Sequence, residues 1–398
     1  MALGALIGAY QEDDSGGLTA LLPLAGRTLV EYQVRCAAAA GASPIVVLVE
    51  RIPAALNQAF ARLANEGLNV IPVSDGSEAA MRFEPGELVL LIGDGVAPPL
   101  DLLTGIGTDA EPLVLTVADD EAHQDFERVD GNSRWSGVAL VEAQILGATA
   151  AMLGDWDLPS TLLRRSIQSG ARLVPVATAN EPLLARNSGN LAQFERALLA
   201  SSRGDRSDLA SRYVLPAVED FATERLMESS VPAEWLLHAA LLLTVAAAFA
   251  FTRGWLWAGL VLLVLSAPLD LVAKRLGMIR LRPLSETAVT GRLLWPAGGL
   301  ALIALGWWQA RNGDGWGAAL AAVVGCAFAE AYRLESRHSE VPIPISLFSR
   351  RNAILGGVLF AIAGAWTGYL IAVLAYAAIS FFFVQFLAHR LHSQLTTR

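Results

Sequence analysis

LGALIGAYQEDDSGG, residues 3–17, decides how the first half of this 398-residue chain folds. An apolar run, residues 3–9, gives way at once to a polar loop closed by two glycines. Such a run, bounded by turn residues, reads as a strand buried on both faces with a loop at its carboxyl end. Working outward, residues 28–40 read as a helix closed by Gly41, and residues 45–49 (IVVLV) as a second buried strand. Residues 53–66 then read as a helix, 69–73 as a strand, 77–82 as a short helix and 88–92 (LVLLI) as another strand. Strands alternating with helices at this spacing predict a doubly wound α/β sheet. Ligands of such sheets sit beyond the carboxyl ends of the strands. That singles out residues 10–17 and the turn Gly93-Asp94-Gly95.

Charge divides the chain. Residues 1–208 carry a net charge of −13, and residues 235–398 a net charge of +7. The acidic half argues against nucleic acid as a partner, because neutralising phosphates takes clustered Lys and Arg. The two cysteines, Cys36 and Cys326, fall one in each half and make neither a disulfide framework nor a zinc spacing. Residues 2–9 lack the basic start and the length of a secretory signal. The first domain, residues 1–200, is therefore expected in the cytoplasm. Residues 201–208 (SSRGDRSD) read as a linker. Residues 209–231 read as an amphipathic juxtamembrane helix with Val214, Val218 and Phe221 on one face, kinked or restarted at Pro216.

Residues 232–398 read as an all-α membrane domain of six spans, about 235–251, 255–273, 293–309, 316–332, 353–367 and 369–388. The last two divide one apolar stretch, 353–388, with a turn expected at Thr367-Gly368; five spans with one long tilted helix is the alternative. Lys274, Arg275, Arg280, Arg282 and Arg292 follow the second span, and Arg333, Arg337, Arg350 and Arg351 follow the fourth. By the positive-inside rule those loops and both termini are cytoplasmic, in the inner, or cell, membrane.

The segment ALLPLAGRTLVEYQVR, residues 20–35, is similar to the one after the signature loop of sugar-phosphate and polyol-phosphate nucleotidyltransferases. In that family a glycine-rich loop brings backbone N–H groups to the nucleotide phosphates, and a Pro-Lys pair adds a compact positive charge. The resemblance assigns nucleotide or phosphate contacts to Gly8, Gly16, Gly17 and Arg27, and metal binding, with Mg2+ the implied ion, to Asp94. Leu18 and Thr19 stand at the Pro-Lys positions, and Lys274 is the only lysine in the chain. The loop itself is acidic, with Glu12, Asp13 and Asp14. Those three read as a solvated loop or a metal site. Asp94 by itself also reads as an ordinary turn residue. Asp155 and Asp157 read as a capping turn or further metal ligands.

The second half resembles the CDP-alcohol phosphotransferases, membrane enzymes that move a phospho-alcohol from CDP onto a second alcohol. Their signature aspartates hold two divalent metals. The matching stretch is residues 267–275 (APLDLVAKR), in which Asp270 and Arg275 keep their places as metal and phosphate ligands. Ala267, Leu271, Ala288 and Arg292 stand where the family has aspartates and a glycine. Residues 347–364 (LFSRRNAILGGVLFAIAG) are also similar to the family at the start of its fifth span. Asp270 reads alternatively as half of an intrahelical pair with Lys274, and Glu330 as a pair with Arg333. Arg280, Arg282 and Arg292 form a basic cluster suited to a lipid phosphate, or to simple cytoplasmic anchoring.

A nucleotidyltransferase-like domain fused to such a membrane domain implies polar-lipid or phospho-alcohol metabolism. Losses in both signatures favour a non-catalytic relative that binds membrane lipid, a lipid-synthesis enzyme or a second copy of itself. The alternative is an active nucleotidyltransferase that binds a nucleotide through altered ligands. Transport through the bundle is a third reading, with Pro296, Gly298 and Gly299 its only weak spot.

Overall fold

The apolar runs of the first half pair into one seven-stranded sheet. Its strands are β1 (Leu3–Gly8), β2 (Ile45–Leu48), β3 (Val70–Val73), β4 (Leu88–Ile92), β5 (Leu113–Ala118), β6 (Ser133–Glu142) and β7 (Arg172–Pro175). Their spatial order is β7-β5-β6-β4-β1-β2-β3. β1 is parallel to β2 and β4, as β2 is to β3 and β5 to β7. β6 runs antiparallel to both β4 and β5. The expected α/β class is present, with a mixed sheet in place of a uniformly parallel one. The β5–β6 connection carries only a short turn of helix, Glu121–His123. A connection without a crossover helix joins antiparallel neighbours.

This computed structural model describes residues 2–106, 111–152, 158–203, 208–227, 229, 231–282, 289–338, 344 and 346–395. Asp155, Asp157, Ala288 and residues 204–207 of the expected linker lie outside them. The chain divides into two compact units, Met1–Ala200 and Ser201–Arg398.

Seven helices accompany the sheet: α1 (Leu29–Ala39), α2 (Ala54–Asn65), α3 (Gly76–Ala80), α4 (Leu100–Ile106), α5 (Ala143–Ala150), α6 (Leu158–Gln168) and α7 (Ser188–Ser201). Strand β1 lies inside the sheet between β2 and β4, which is why its residues Ala5, Leu6 and Ile7 are all apolar and buried. The start of α1 is fixed by a capping box, in which Thr28 and Glu31 satisfy each other's backbone N–H groups. Glu31 is wholly buried and does more than cap. Arg62 of α2 donates to both of its carboxylate oxygens at 3.0 Å, and Arg35 stands 3.5 Å away while forking onto Glu66. This network ties α1 to α2.

The second unit contains α8 (Pro216–Met227), α9 (Ala233–Thr252), α10 (Leu256–Ser266), α11 (Leu269–Ile279), α12 (Val289–Gln309), α13 (Trp316–His338), α14 (Arg350–Ile362) and α15 (Trp366–Leu395). A short wide-turn helix, Ala210–Val214, precedes α8, and the chain restarts at Pro216. Among the described residues, five stretches are long and apolar enough to cross a membrane: Ala233–Thr252, Leu256–Ile279, Val289–Gly313, Trp316–Ser336 and Trp366–His389. Helices α10 and α11 share the second of these, across a break at Ala267 and Pro268.

The expectation of six spans is corrected to five. The apolar stretch 353–388 breaks at residues 363–365, where Gly364 takes φ +69°, and not at Thr367-Gly368. The earlier break leaves α14 with 13 residues. At a rise of about 1.5 Å per residue such a helix is about 20 Å long, against a hydrocarbon core of about 30 Å. Tryptophans gather where α9 meets α10, α12 meets α13 and α14 meets α15. Trp257 and Trp366 meet edge to face at 5.9 Å, and Trp307 and Trp316 at 5.8 Å. Aromatic residues at helix ends suit the boundary between hydrocarbon and water.

Burial pushes the Glu31 carboxyl up, but Arg62 and Thr28 outweigh it and hold the group below its ordinary value of 4.5. Its contribution to stability is therefore complete above that value and lost as pH falls through the lower folded-state value. Replacing it, Glu31→Gln, takes the charge partner from Arg62, which keeps about a third of its side chain in water, and is expected to cost about 1–3 kcal/mol at neutral pH. The loss is read as faster hydrogen exchange across residues 29–39, and the gap from the parent protein narrows in acid.

Candidate functional site

The carboxyl edge of the sheet brings Gly8, Asp94 and residues 10–17 together. Gly8 ends β1 and Asp94 follows β4, its immediate neighbour. A Cβ on Gly8 would stand 3.1 Å from the Asp94 backbone nitrogen, so the approach requires glycine. Asp94 turns one oxygen, Oδ2, onto the N–H groups of Tyr10 and Gln11, each at 2.6 Å. Its other oxygen, Oδ1, is buried with no hydrogen-bond partner among the described residues. Burial raises the Asp94 pKa above the ordinary 3.8, while the N–H bonds of Gln11, Tyr10 and Gly95 pull the other way. From α1, Gln33 donates to the carbonyls of Gly93 (3.2 Å) and Val96 (2.7 Å), holding the turn that carries Asp94.

The acidic loop is spent on itself and its neighbours. Oδ1 of Asp13 accepts from the Ser15 N–H (2.8 Å), the Ser15 hydroxyl (2.7 Å) and the Gly17 N–H (2.8 Å). The Ser15 hydroxyl and the Gly17 N–H hold this carboxyl below its ordinary range. Gly16, at φ +79°, makes the turn possible. Two N–H groups of the kind that cradle a phosphate thus already face an internal carboxylate. Glu12 pairs with Arg51 at 2.7 Å, and Asp14 accepts from Asn187 at 2.9 Å. Arg27 lies in a two-residue strand paired with Pro23–Leu24. The charges that bear on it are Glu31, Arg35, Arg62 and Glu66, which places it with the α1–α2 network.

In the second unit, polar groups converge on the start of α14. Arg351 bridges two carboxylates. It reaches Asp270 of α11 through Nη2 (2.7 Å) and Nε (3.4 Å), and Asp208 through Nη1. The other oxygen of Asp208 accepts from the Ser211 N–H at 2.8 Å. Asp270 does not pair with Lys274, which is exposed; that expectation is corrected, because a half-buried carboxylate pairs with a cation that has likewise lost most of its water, Arg351. The neighbouring Arg350 donates to the hydroxyls of Thr244 (2.9 Å) and Ser266 (2.7 Å). Asn352 accepts from the Ala210 N–H (2.9 Å) and donates to the Tyr376 hydroxyl (3.0 Å).

The other basic residues divide by burial. Arg275 is buried and donates to Glu219, Asp220 and Ser202. Arg280 is buried too, and its guanidinium donates to the carbonyls of Leu226, Ser229 and Val231, the chain end of α8. Arg282 and Arg292 are exposed. Glu330 pairs with Arg333 at 2.9 Å. The described residues contain no group of three or more His, Cys, Asp or Glu able to hold a metal ion. Mg2+ would find Asp270 already neutralised by Arg351, so this carboxylate does not fit the metal pair that the phosphotransferase resemblance implies, whereas Asp94 keeps Oδ1 uncommitted among the described residues. Sequence reading missed Asp208 and Asn352 and used Arg350 and Arg351 only as basic residues of a cytoplasmic loop. The available signal was two adjacent arginines opening an apolar helix.

No family model matches the chain, and no curated protein matches it. Among solved structures it is similar to a protein described as a glucose-1-phosphate thymidylyltransferase from Bacillus anthracis, crystallised with sucrose. The identity is 10% and the TM-score 0.39, over 49% of this chain and 94% of that one. A likeness at that score carries no argument, and the α/β class rests on the strands and helices described above.

If Asp94 holds the loop, Asp94→Ala leaves the N–H groups of Tyr10 and Gln11 unpaired and costs about 1–3 kcal/mol. Asp94→Asn keeps an acceptor and costs less. Hydrogen exchange across residues 9–18 distinguishes them: unchanged protection in Asp94→Ala removes the clamp.

Proposed function

We propose that this chain is a non-catalytic membrane protein of polar-lipid or phospho-alcohol metabolism, descended from a fused nucleotidyltransferase and CDP-alcohol phosphotransferase. The observation that carries this reading is the Arg351–Asp270 pair. The one carboxylate left from the metal-binding signature has both oxygens on a permanent cation. A guanidinium there balances the charge that a metal would balance, but it offers no coordination site to a diphosphate and activates no nucleophile. The Asp13 carboxylate supports the same reading, because it occupies N–H groups that a nucleotide phosphate would need. The protein then acts as a lipid-binding, regulatory or scaffolding subunit, with membrane lipid and a lipid-synthesis enzyme or a second copy as partners. The basic segments 274–292 and 333–351 favour the cytoplasmic side of the cell membrane for the first unit.

One observation favours the second reading, an active nucleotidyltransferase. The Oδ1 atom of Asp94 is a buried acceptor with no partner among the described residues, at the sheet edge where a ligand would sit.

The test uses the full-length protein in vesicles with magnesium. With a CDP-alcohol and an acceptor alcohol, CMP release is expected to equal that of protein-free vesicles. Release that disappears in Asp270→Asn overturns the non-catalytic reading. Calorimetry of the same protein against CTP, UTP, GTP and ATP addresses the second reading. Magnesium-dependent binding lost in Asp94→Asn would establish a nucleotide site; heats equal to dilution would remove it.

A further inference from the structure

We propose that Arg350 is the centre of a metal-independent anion site in the second unit, taking a phosphate group carried by a lipid or by a small soluble molecule. The proposal goes beyond the non-catalytic reading and does not depend on it.

The argument begins with the hydrogen bonds of the carboxylates around Arg350. Both oxygens of Asp270 go to Arg351, and those of Asp208 go to Arg351 and the Ser211 N–H. Neither carboxylate is left to bind Arg350. Its described partners are two neutral hydroxyls, Thr244 of α9 and Ser266 of α10. Those hydroxyls spend their own protons on the carbonyls of Ala240 and Leu263, both at 2.7 Å. Each therefore presents a lone pair to the guanidinium, and its own helix fixes the direction. They hold one nitrogen, Nη2, and bring no negative charge. The Nε–H is buried and has no acceptor among the described residues. The charges that bear on Arg350 are Asp270 and Arg351, which act in opposite directions.

A guanidinium held in place with a buried N–H unpaired is costly to maintain unless something accepts from it. The flat fork of arginine suits phosphate oxygens, and such bonds strengthen away from water. That side of Arg350 faces a glycine. A Cβ built on Gly298 of α12 has Arg350 Nε as its nearest neighbour, at 3.7 Å, and Cδ at 3.8 Å. The glycine leaves the Nε side of Arg350 without a side chain over it. Gly298 is itself only partly buried. The weak spot noted in the sequence at Pro296, Gly298 and Gly299 thus flanks a buried N–H that has no acceptor among the described residues.

The test uses the full-length protein stripped of lipid in a maltoside detergent, which contains no phosphate. Inorganic phosphate is one probe, and phosphatidylglycerol added to the micelles is the other. The readout is the thermal unfolding midpoint as each is titrated. A rise with inorganic phosphate assigns the site to a soluble anion. A rise with phosphatidylglycerol alone assigns it to a lipid headgroup. Two variants carry the test. Arg350→Gln removes the charge. Gly298→Val keeps the arginine and puts methyl groups beside Nε, so the test survives if the first variant fails to fold. Each folded variant is expected to weaken the response about tenfold or more, the loss of one hydrogen bond to a charged group. No rise with either probe, or a rise that Gly298→Val retains in full, overturns the proposal. CMP release by the parent protein would overturn the non-catalytic reading and leave this site standing, whereas loss of the phosphate response would do the reverse.

Discussion

A guanidinium removed from water has to be surrounded by acceptors, and the second unit is arranged around that requirement. Arg351 draws together Asp208, from the segment before α8, and Asp270 of α11, and it does so from the first turn of α14. The same turn sends Arg350 to hydroxyls on α9 and α10 and sends Asn352 to Tyr376 of α15. Five helices and a connecting segment therefore meet at three consecutive residues. In an apolar bundle, where dispersion contacts alone fix few positions, such polar contacts set which helix neighbours which. Removing one partner of the buried pair costs more than the pair contributes, because it leaves a charge with nothing to replace water.

The first unit solves a related problem at the edge of its sheet. Loops at the carboxyl ends of strands expose N–H groups that need acceptors. Asp94 satisfies Tyr10 and Gln11, and Asp13 satisfies Ser15 and Gly17. Internal carboxylates thus stand in for the anions that such loops otherwise receive. A loop organised by its own acidic side chains keeps its shape without a ligand, and it binds an incoming phosphate less readily for the same reason. Glu31 takes this principle into the interior, where its capping of α1 and its pairing with Arg62 lock two helices together.

Much of the fold could be read from local pattern. Strand β1 and strands β2, β3 and β4 follow from runs of apolar residues closed by Gly, Pro and Asp, and α1 ends at Ala39, just before Ala40-Gly41, where the glycine closes the helix. The antiparallel course of β6 could not, because strand direction depends on the connection that precedes it and not on the residues within it. The break in the stretch 353–388 falls four residues before the expected one, since two glycines, Gly364 and Gly368, offer the turn equally well. Packing chose Gly364, where the chain adopts the left-handed conformation that glycine tolerates.

Sequence by itself determined the division into an acidic α/β half and an apolar helical half, because hydrophobic period and charge are properties of neighbours along the chain. It also determined that Lys274 is the only lysine, since a residue type absent from the sequence is absent in any fold. Only the tertiary structure decided what the surviving charges do. Asp270 has Lys274 one helical turn away, yet pairs with Arg351, 81 residues distant. Arg280 lies in a basic segment, yet serves the carbonyls at the end of α8. The partner of a charge is set by which groups lose water together, and burial of that kind is created by packing between segments that the sequence keeps far apart.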